Sequence, residues 1–217
     1  MGRSEMSPGE TKARTRVLRQ DAARNRNTLL AAAAEVFELQ GLDASVTDVA
    51  QAAGLGMGTL YRHFPTKEAL IDALVHDVLE ATIQMARDAA NCPDGRGLEQ
   101  FLEASARYQA EHSGCLPRLW DTDHDMVKAA RHLIAGLLAD AKKFGRVRGD
   151  LSTTDLTVTM FSLRGVIEAT LPIAPDAWQR HLELLIAGMR PGDKELVHPP
   201  MNKATLDKVL SKRDGRT

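Results

Sequence analysis

The stretch from residue 45 to residue 65 constrains the fold more than any other part of this chain, because its start and stop signals leave room for only two short helices. Ser45 and Asp48 form a capping box, in which the serine hydroxyl accepts from the backbone N–H of residue 48 and the carboxylate reaches back to that of residue 45. Gly54 ends the first helix, and Pro65 ends a second helix that begins near Met57. Two short helices joined by a glycine-containing turn form a helix-turn-helix.

The rest of the chain also reads as helix, so the predicted fold class is all-α. Alanine and leucine are abundant, apolar residues recur at helical spacing, and no segment alternates convincingly as a strand would. Ser152 or Thr153 would cap one of the later helices. The predicted helices outside the helix-turn-helix cover about residues 24–40, 67–90, 98–111, 126–144, 154–171 and 176–189, with a short helix at 116–120 and a marginal one at 206–210.

Composition excludes several classes of protein. No uninterrupted apolar stretch approaches the ~20 residues of a membrane span. The polar N-terminus lacks the apolar core of a secretory signal, so we expect a cytoplasmic protein. Cys92 and Cys115 are the two cysteines, and they lack metal-ligand spacing. The seven histidines form no array of ligands, so we expect neither a metal nor another cofactor.

Charge is distributed unevenly, although the whole chain carries a formal net charge of only −1. Residues 12–26 contain six basic side chains and one acidic one, for a net +5, whereas residues 69–189 contain 12 basic and 17 acidic ones, for a net −5. A basic end on an acidic body is expected where that end faces a polyanion. Because residues 1–21 show little apolar periodicity and contain Pro8, we predict that they form a flexible basic arm.

The helical spacing also predicts which side chains of the helix-turn-helix face outward. The inward positions are apolar: Val49, Ala50, Ala53, Leu55, Leu60 and Phe64. The outward positions of the second helix are Met57, Gly58, Thr59, Tyr61, Arg62 and His63. Hydroxyl, imidazole and guanidinium groups can donate to phosphates or read base edges, and such a helix can lie in the major groove. This face therefore predicts binding to double-stranded DNA.

Residues 24–74 also strongly resemble the TetR family of bacterial regulators. The resemblance is carried by Leu29–Phe37 through Gly41, by Val46–Ala50, and by the run Ala53–Leu70. It implies a three-helix DNA-binding domain followed by a helical domain that dimerises and holds a ligand pocket. It also implies roles by position: Ser45 would cap and touch phosphate, Thr47, Met57, Gly58 and Thr59 would face bases, and Tyr61, His63 and Lys67 would hold the DNA backbone.

The later part of the chain resembles the C-terminal domain of an SbtR-like subgroup of the family, from the sequence of residues 141–156 and 187–191. In this family the last two long helices usually form the dimer. The corresponding seam would use Leu156, Met160, Leu163, Ile167, Leu182, Leu185, Ile186 and Met189, although the core of a single chain explains several of these equally well. We thus expect four regions: an arm at 1–21, the helix-turn-helix domain at 22–66, the ligand-binding and dimerisation domain at 67–191, and a polar tail at 192–217.

Polar and aromatic residues within otherwise apolar helices are candidates for a ligand pocket. They are Tyr108, His112, Trp120, His124, Arg164 and Glu168. Arg164 and Glu168 are four residues apart, so they can pair on one helix, which would favour a mostly apolar small-molecule effector. If Glu168 instead faces solvent, Arg164 is free to bind an anionic group; we favour the pair, because an unpaired buried guanidinium is costly.

The sequence thus predicts a repressor that binds a palindromic operator as a homodimer and responds to an unidentified small molecule. Two alternatives belong to other classes. A small helical enzyme could use His124 or Glu168, but no nucleophile elbow, phosphate loop or pair of carboxylates beside a histidine is visible. A helical adaptor could bind protein through its helix-turn-helix, against which the basic arm and the exposed face argue.

Overall fold

The computed structural model describes residues 8–112, 125–192, 194 and 196–213, with side chains from residue 20 to residue 209 except Glu38. These residues contain nine α-helices and no strand, which confirms the all-α prediction. The helices are α1 (Pro8–Gln40), α2 (Val46–Ala52), α3 (Met57–His63), α4 (Lys67–Ala90), α5 (Gly97–Glu111), α6 (Asp125–Lys143), α7 (Thr153–Thr170), α8 (Ala177–Met189) and α9 (Lys203–Arg213), with a 3-10 turn at Pro93–Gly95. The predicted helix at 116–120 lies outside the described residues.

The chain divides into two compact units between Leu74 and Val75, within α4. The first two turns of α4 belong to the N-terminal unit, since Leu70, Ile71 and Leu74 are buried there. The division therefore lies later than the domain boundary predicted from the sequence, at residue 66. The reason is that apolar residues of α4 pack in both units.

In the N-terminal unit, α1, α2 and α3 pack against one another in pairs. The capping box at the start of α2 forms as predicted: Ser45 Oγ accepts from the Asp48 N–H at 3.1 Å, and the Ser45 N–H donates to Asp48 Oδ2 at 3.2 Å. Gly54 has a φ of 65° in the turn between α2 and α3, a conformation that glycine adopts without strain. Gly54 thus ends α2 and forms the turn, as the sequence predicted.

The first helix begins at Pro8 rather than near Arg24, so the prediction of a flexible arm is wrong for residues 8–21. Proline is tolerated in a first helical turn, where its missing N–H would have no partner anyway. The following residues are mostly good helix formers such as Glu, Lys, Ala, Arg and Leu. The prediction failed because it relied on apolar periodicity, which reports packing against a core rather than the tendency to form helix.

In the C-terminal unit, α5 contacts α6, α7 and α8, and α7 packs on α8. Ser152, the first of the two predicted caps, accepts from the Asp155 N–H at 3.2 Å at the start of α7. The core is formed by side chains of all these helices, including Phe101, Leu102, Leu137, Leu163, Ile167, Trp178 and Leu182. Among the described glycines of this unit, Gly97 leaves the least room, since a Cβ atom there would lie 2.4 Å from the Ala89 carbonyl oxygen.

The loop after α6 is hydrogen-bonded both to the turn that precedes α5 and to the C-terminal end of α8. We call this region the junction. Arg146 of that loop donates to the backbone oxygen of Asp94 at 2.9 Å, and its side chain also pairs with the Asp94 carboxylate. The Arg148 N–H donates to the Met189 carbonyl at 2.9 Å, where α8 ends. The start of α5 and the end of α8 therefore lie at the same end of the unit.

The segment predicted as a polar tail contains a helix longer than the marginal one expected. Within α9, Leu206 is buried, and Asp207 pairs with Arg131 of α6 at 3.7 Å. Arg148 also donates to the Lys194 carbonyl at 2.9 Å, which holds the connection to α9. Among the side chains of α9 that the structure describes, Leu206 and the Asp207–Arg131 pair thus hold this mostly polar helix against the C-terminal unit. Among the described helices, none is long and apolar enough to cross a membrane.

Candidate DNA-binding site

The short helix α3 is held by two apolar side chains on its inner face. Leu60 is fully buried and Phe64 is 3% exposed, while Val49 and Ala50 bury the inner face of the bracing helix α2. Ala53 and Leu55, predicted to face inward, are half-buried. This packing fixes the rotation of α3 about its axis, and hence which side chains it presents outward.

The outer surface of α2 and α3 carries most of the predicted DNA-contacting residues. Ser45, Thr47 and Gly58 are exposed, and Tyr61 is 48% exposed, whereas Met57 and Thr59 are half-buried. No atom outside its own helix lies within 4 Å of a Cβ built on Gly58. The glycine is therefore not required by a close internal contact, and it leaves the outer surface of α3 uncrowded. A helix with little bulk at this position can approach a groove closely.

Lys67, predicted to hold the DNA backbone, begins α4. Its ammonium nitrogen lies 5.8 Å from the centre of the Phe37 ring. Thr66 caps the helix by accepting from the Ala69 N–H at 3.1 Å. Lys67 is thus half-buried on its aromatic neighbour, while its charge remains part of the surface of this unit.

His63 lies less far outward than the sequence predicted. The residue is half-buried, and its Nε2 atom is buried without a hydrogen-bond partner among the residues that the structure describes. Its ring lies beside Phe64, with centroids 6.3 Å apart. A contact between this nitrogen and a phosphate would require the ring to turn, because the last turn of α3 faces partly into the unit.

The candidate list derived from the sequence omitted Arg26. Its guanidinium carbon lies 5.7 Å from the centre of the Phe64 ring, which places a cation of α1 against the end of α3. The net +5 charge of residues 12–26 was the available signal, but helical spacing alone does not tell which arginine reaches α3.

The described members of the predicted ligand pocket lie on α7 and at the C-terminal end of α5, where His112 is the C-cap residue. At the end of α5, the rings of Tyr108 and His112 stack with centroids 4.2 Å apart, and Tyr108 packs on a small apolar cluster with Val78 and Val127. On α7, Arg164 Nε donates to Glu168 Oε1 at 2.5 Å, so the predicted pairing of these charges is confirmed. Trp120, His124 and Cys115 lie outside the described residues.

The predicted dimer seam falls mostly in the core of a single chain. Five of its eight residues are buried there: Leu156, Leu163, Ile167, Leu182 and Met189. Met160, Leu185 and Ile186 are half-buried. We therefore correct the seam for the five buried residues. The inward faces of α7 and α8 pack on α5 as well as on each other, and a sequence pattern cannot separate such a core from an interface.

The outward face of α7 and α8 is a better candidate for the seam. Val158 is 41% exposed on α7 and Leu184 is 57% exposed on α8. The same two helices also carry exposed small residues: Gly165, Ala169, Ala187 and Gly188. Small side chains allow helices of two chains to approach closely, and exposed leucine and valine supply apolar area.

Among the described residues, one group has the composition of a metal site. His76, Asp77 and Glu80 on α4 place potential ligand atoms within 4.8 Å of one another, and all three groups are exposed or nearly so. Exposed acidic groups of this kind are common without an ion. We therefore assign no metal to it.

Two families match consecutive parts of the chain. The family described as bacterial regulatory proteins of the tetR family matches residues 29–74. The C-terminal domain of SbtR-like transcriptional regulators matches residues 93–191. The two matches correspond to the helix-turn-helix and to the helices from α5 to α8.

Individual proteins give the same result. The HTH-type transcriptional repressor KstR2 of Rhodococcus jostii is 43% identical over 141 residues, which cover 58% of this chain and 69% of the relative. KstR2 of Mycolicibacterium smegmatis is 37% identical over 95 residues, which span 46% of its own length.

Solved structures extend the likeness over most of the chain. A TetR regulatory protein of Mycobacterium vanbaalenii is 30% identical, with a TM-score of 0.52, and the match covers 80% of this chain and 99% of that protein. CprB of Streptomyces coelicolor shares the fold with a TM-score of 0.63 at 20% identity, over 91% of this chain and 100% of that one. The helix-turn-helix geometry and these matches agree: this chain belongs to the TetR family of DNA-binding transcriptional regulators, and not to a family of enzymes.

Proposed function

We propose that this chain is a cytoplasmic repressor that binds a palindromic operator as a homodimer and leaves it when a small molecule binds. The observation that carries the proposal is α3 itself. Its inner face is anchored by Leu60 and Phe64, so that Tyr61 and Gly58 are presented outward. Repression is favoured over activation because the KstR2 relatives are repressors by name.

On the operator, residues of α2 and α3 would divide into two classes. Thr47, Met57, Gly58 and Thr59 would face bases in the major groove, and Tyr61, Lys67, Ser45 and His63 would contact the backbone. Contacts to phosphates position a protein on DNA, whereas contacts to base edges specify the sequence. Because Met57 and Thr59 are half-buried, their side chains would protrude little from the surface of α3 where they contact bases.

The N-terminal part of α1 would add affinity that does not depend on sequence. Its basic residues, from Lys12 to Arg26, lie on a helix that is continuous with the helix-turn-helix domain. Among the side chains of α1 that the structure describes, from residue 20 onward, the first fully buried one is Leu29, so residues 20–28 have little core of their own to pack on. Basic groups near DNA gain affinity by releasing counterions from phosphates.

Dimerisation would use the outward face of α7 and α8. An isologous dimer places the same patch of each chain against its partner, so Val158 and Leu184 would be buried by a second copy of this face. The two pairs of helices would then form a four-helix bundle. A twofold protein presents its two α3 helices to two half-sites, which explains why the operator would be palindromic.

Release by a small molecule requires that the molecule binds the form that has left DNA more tightly than the bound form. The Arg164–Glu168 pair leaves no net charge on that stretch of α7, which favours a mostly apolar molecule. Since α4 contributes residues to both units, it is the element through which binding in the C-terminal unit would affect DNA binding.

Selection of bound DNA from a random duplex library tests the proposal. We expect a twofold-symmetric site whose half-site centres are about one turn, roughly 34–36 Å, apart or somewhat more. A set of selected sequences without twofold symmetry would contradict the dimeric repressor. A thermal-shift screen, followed by DNA release with each hit, then tests the effector.

A further inference from the structure

Ser105 of α5 is a buried hydroxyl that its own helix does not use. The residue is 7% exposed, and its Oγ atom is buried without a hydrogen-bond partner among the residues that the structure describes. A helical serine ordinarily donates to the carbonyl three or four residues earlier. Five other hydroxyls of this protein do so: those of Thr28, Thr82, Thr157, Ser162 and Thr170. The Ser105 hydroxyl therefore lacks the bond within its own helix that these five hydroxyls make.

A second polar atom without a partner lies on a helix in contact with α5. Nε2 of His181 on α8 is buried, and no described residue donates to it or accepts from it. Its neighbours Trp178 and Leu182 belong to the same apolar core as Leu102 and Ala106 beside Ser105. Both polar atoms thus lie on elements that build one apolar core.

The two residues also lie at comparable distances from one end of the unit, counted along their helices. The start of α5 and the end of α8 meet at the junction with the loop after α6. Ser105 lies eight residues after Gly97, and His181 lies eight residues before Met189. At 1.5 Å per residue, each is about 12 Å from that shared end. Since the helices run in opposite directions from it and contact each other, counting along each helix places the two residues at comparable distances from that end.

From this arrangement we propose that Ser105 and His181 form the polar anchor of the effector site, and that the effector is an apolar small molecule with one carbonyl or hydroxyl oxygen. The Ser105 hydroxyl donates to that oxygen, and His181 Nε2 donates or accepts according to its tautomer. The surrounding side chains, including Phe101 and Trp178, contact the apolar part. This inference rests on the proposed release by a small molecule and names its contacts.

Energetics support a role in binding rather than in folding. A buried hydroxyl without a partner destabilises the folded chain, and replacing it by an apolar group of similar shape is neutral or stabilising. Ser105→Ala should therefore raise the Tm of the ligand-free protein, by up to about 2–4 °C for a chain of this length. A hydroxyl that costs stability and contributes to binding fits a ligand site.

The test uses Prodan, a neutral naphthalene ketone whose emission reports hydrogen bonding at its carbonyl, and naphthalene, which lacks a polar group. With the full-length chain we expect Ser105→Ala and His181→Phe to weaken Prodan binding about tenfold, with a blue shift of the bound probe. Naphthalene binding should not change. The control is Ser162→Ala on α7, whose hydroxyl is exposed and donates to the Thr159 carbonyl at 2.8 Å.

Two results would overturn the inference. One is that wild type and Ser105→Ala bind Prodan with the same affinity, or that neither protein binds it. The other is a lower Tm for Ser105→Ala, which would mean that an ordered water already satisfies the hydroxyl. Operator binding is measured in parallel on every variant. Failure of the wild-type chain to bind a twofold operator would instead contradict the proposed function, whatever the probes show.

Discussion

Lys67 lies above the ring of Phe37, with its ammonium nitrogen 5.8 Å from the ring centre. The aromatic ring of α1 thereby holds a cation at the start of α4, where the proposed operator backbone would pass. A side chain held in this way loses little freedom on meeting a phosphate, compared with a lysine that moves freely in solvent.

Lys67→Ala should therefore weaken binding to all DNA sequences and lower the slope of log K against log salt by about one unit per protomer. Binding isotherms at several salt concentrations measure this slope. Lys203→Ala on α9 is the control, since Lys203 is an exposed lysine of the C-terminal unit. An unchanged slope for Lys67→Ala would remove this residue from the phosphate contacts.

Residues of the proposed interface should separate into two classes on mutation. Tyr61→Ala should reduce affinity for every sequence by a similar factor, because it removes a backbone contact. Substitutions of Thr47 or Thr59 should instead change which bases are preferred, with a discrimination of about 1–3 kcal/mol per base pair. Selection from random duplexes with each variant measures both effects. A changed base preference in Tyr61→Ala would show that Tyr61 contacts bases rather than the backbone.

The N-terminal part of α1 should contribute affinity without specificity. Deleting residues 1–20 should weaken the operator complex and the complex with random duplex by similar factors, since the lost contacts are with phosphates. Replacing Lys12, Arg14, Arg16 and Arg19 by glutamine keeps the helix length and serves as a second variant. If only the operator complex weakened, this segment would be reading bases, for example in an adjacent minor groove.

The proposed dimer face can be tested with two matched leucines. Leu184 on α8 and Leu196 beyond it are both 57% exposed, but only Leu184 belongs to the outward face of α7 and α8. Leu184→Glu should produce monomers and weaken operator binding by about tenfold or more, because a charge would be buried at the interface. Leu196→Glu should do neither. Light scattering after size exclusion gives the masses, and a dimer that survives Leu184→Glu would place the seam elsewhere.

The loop after α6 gives a prediction for pH. The Arg148 guanidinium, which donates to Asp150, holds the pKa of that carboxyl below its usual value of 3.8. A lowered pKa contributes stability that is present above the usual value and is lost as the pH falls through the folded value. Asp150→Asn should thus lower Tm slightly near neutral pH, and the difference from wild type should vanish in acid. A Tm difference that stays constant with pH would show that the pair is not its cause.

The helix-turn-helix can be predicted from the sequence alone. Its start, turn and stop depend on local chemistry, namely the Ser45–Asp48 capping box, the glycine turn at Gly54 and the break at Pro65. Neighbouring residues supply these signals, so they can be read without knowing what packs on what. The pairing of Arg164 with Glu168 is local in the same sense, since one helix brings residues four apart onto one face.

Which apolar face of α7 and α8 belongs to the core depends on contacts that the sequence does not show. The pattern of Leu163, Ile167 and Leu182 marks an inward face but does not say whether another helix of the same chain or a second copy covers it; here α5 does. The same holds for Ser105, which looks like an ordinary helical serine until its burial and its missing partner are known. Burial depends on residues that are distant in sequence, and the periodicity of a single helix carries no information about them.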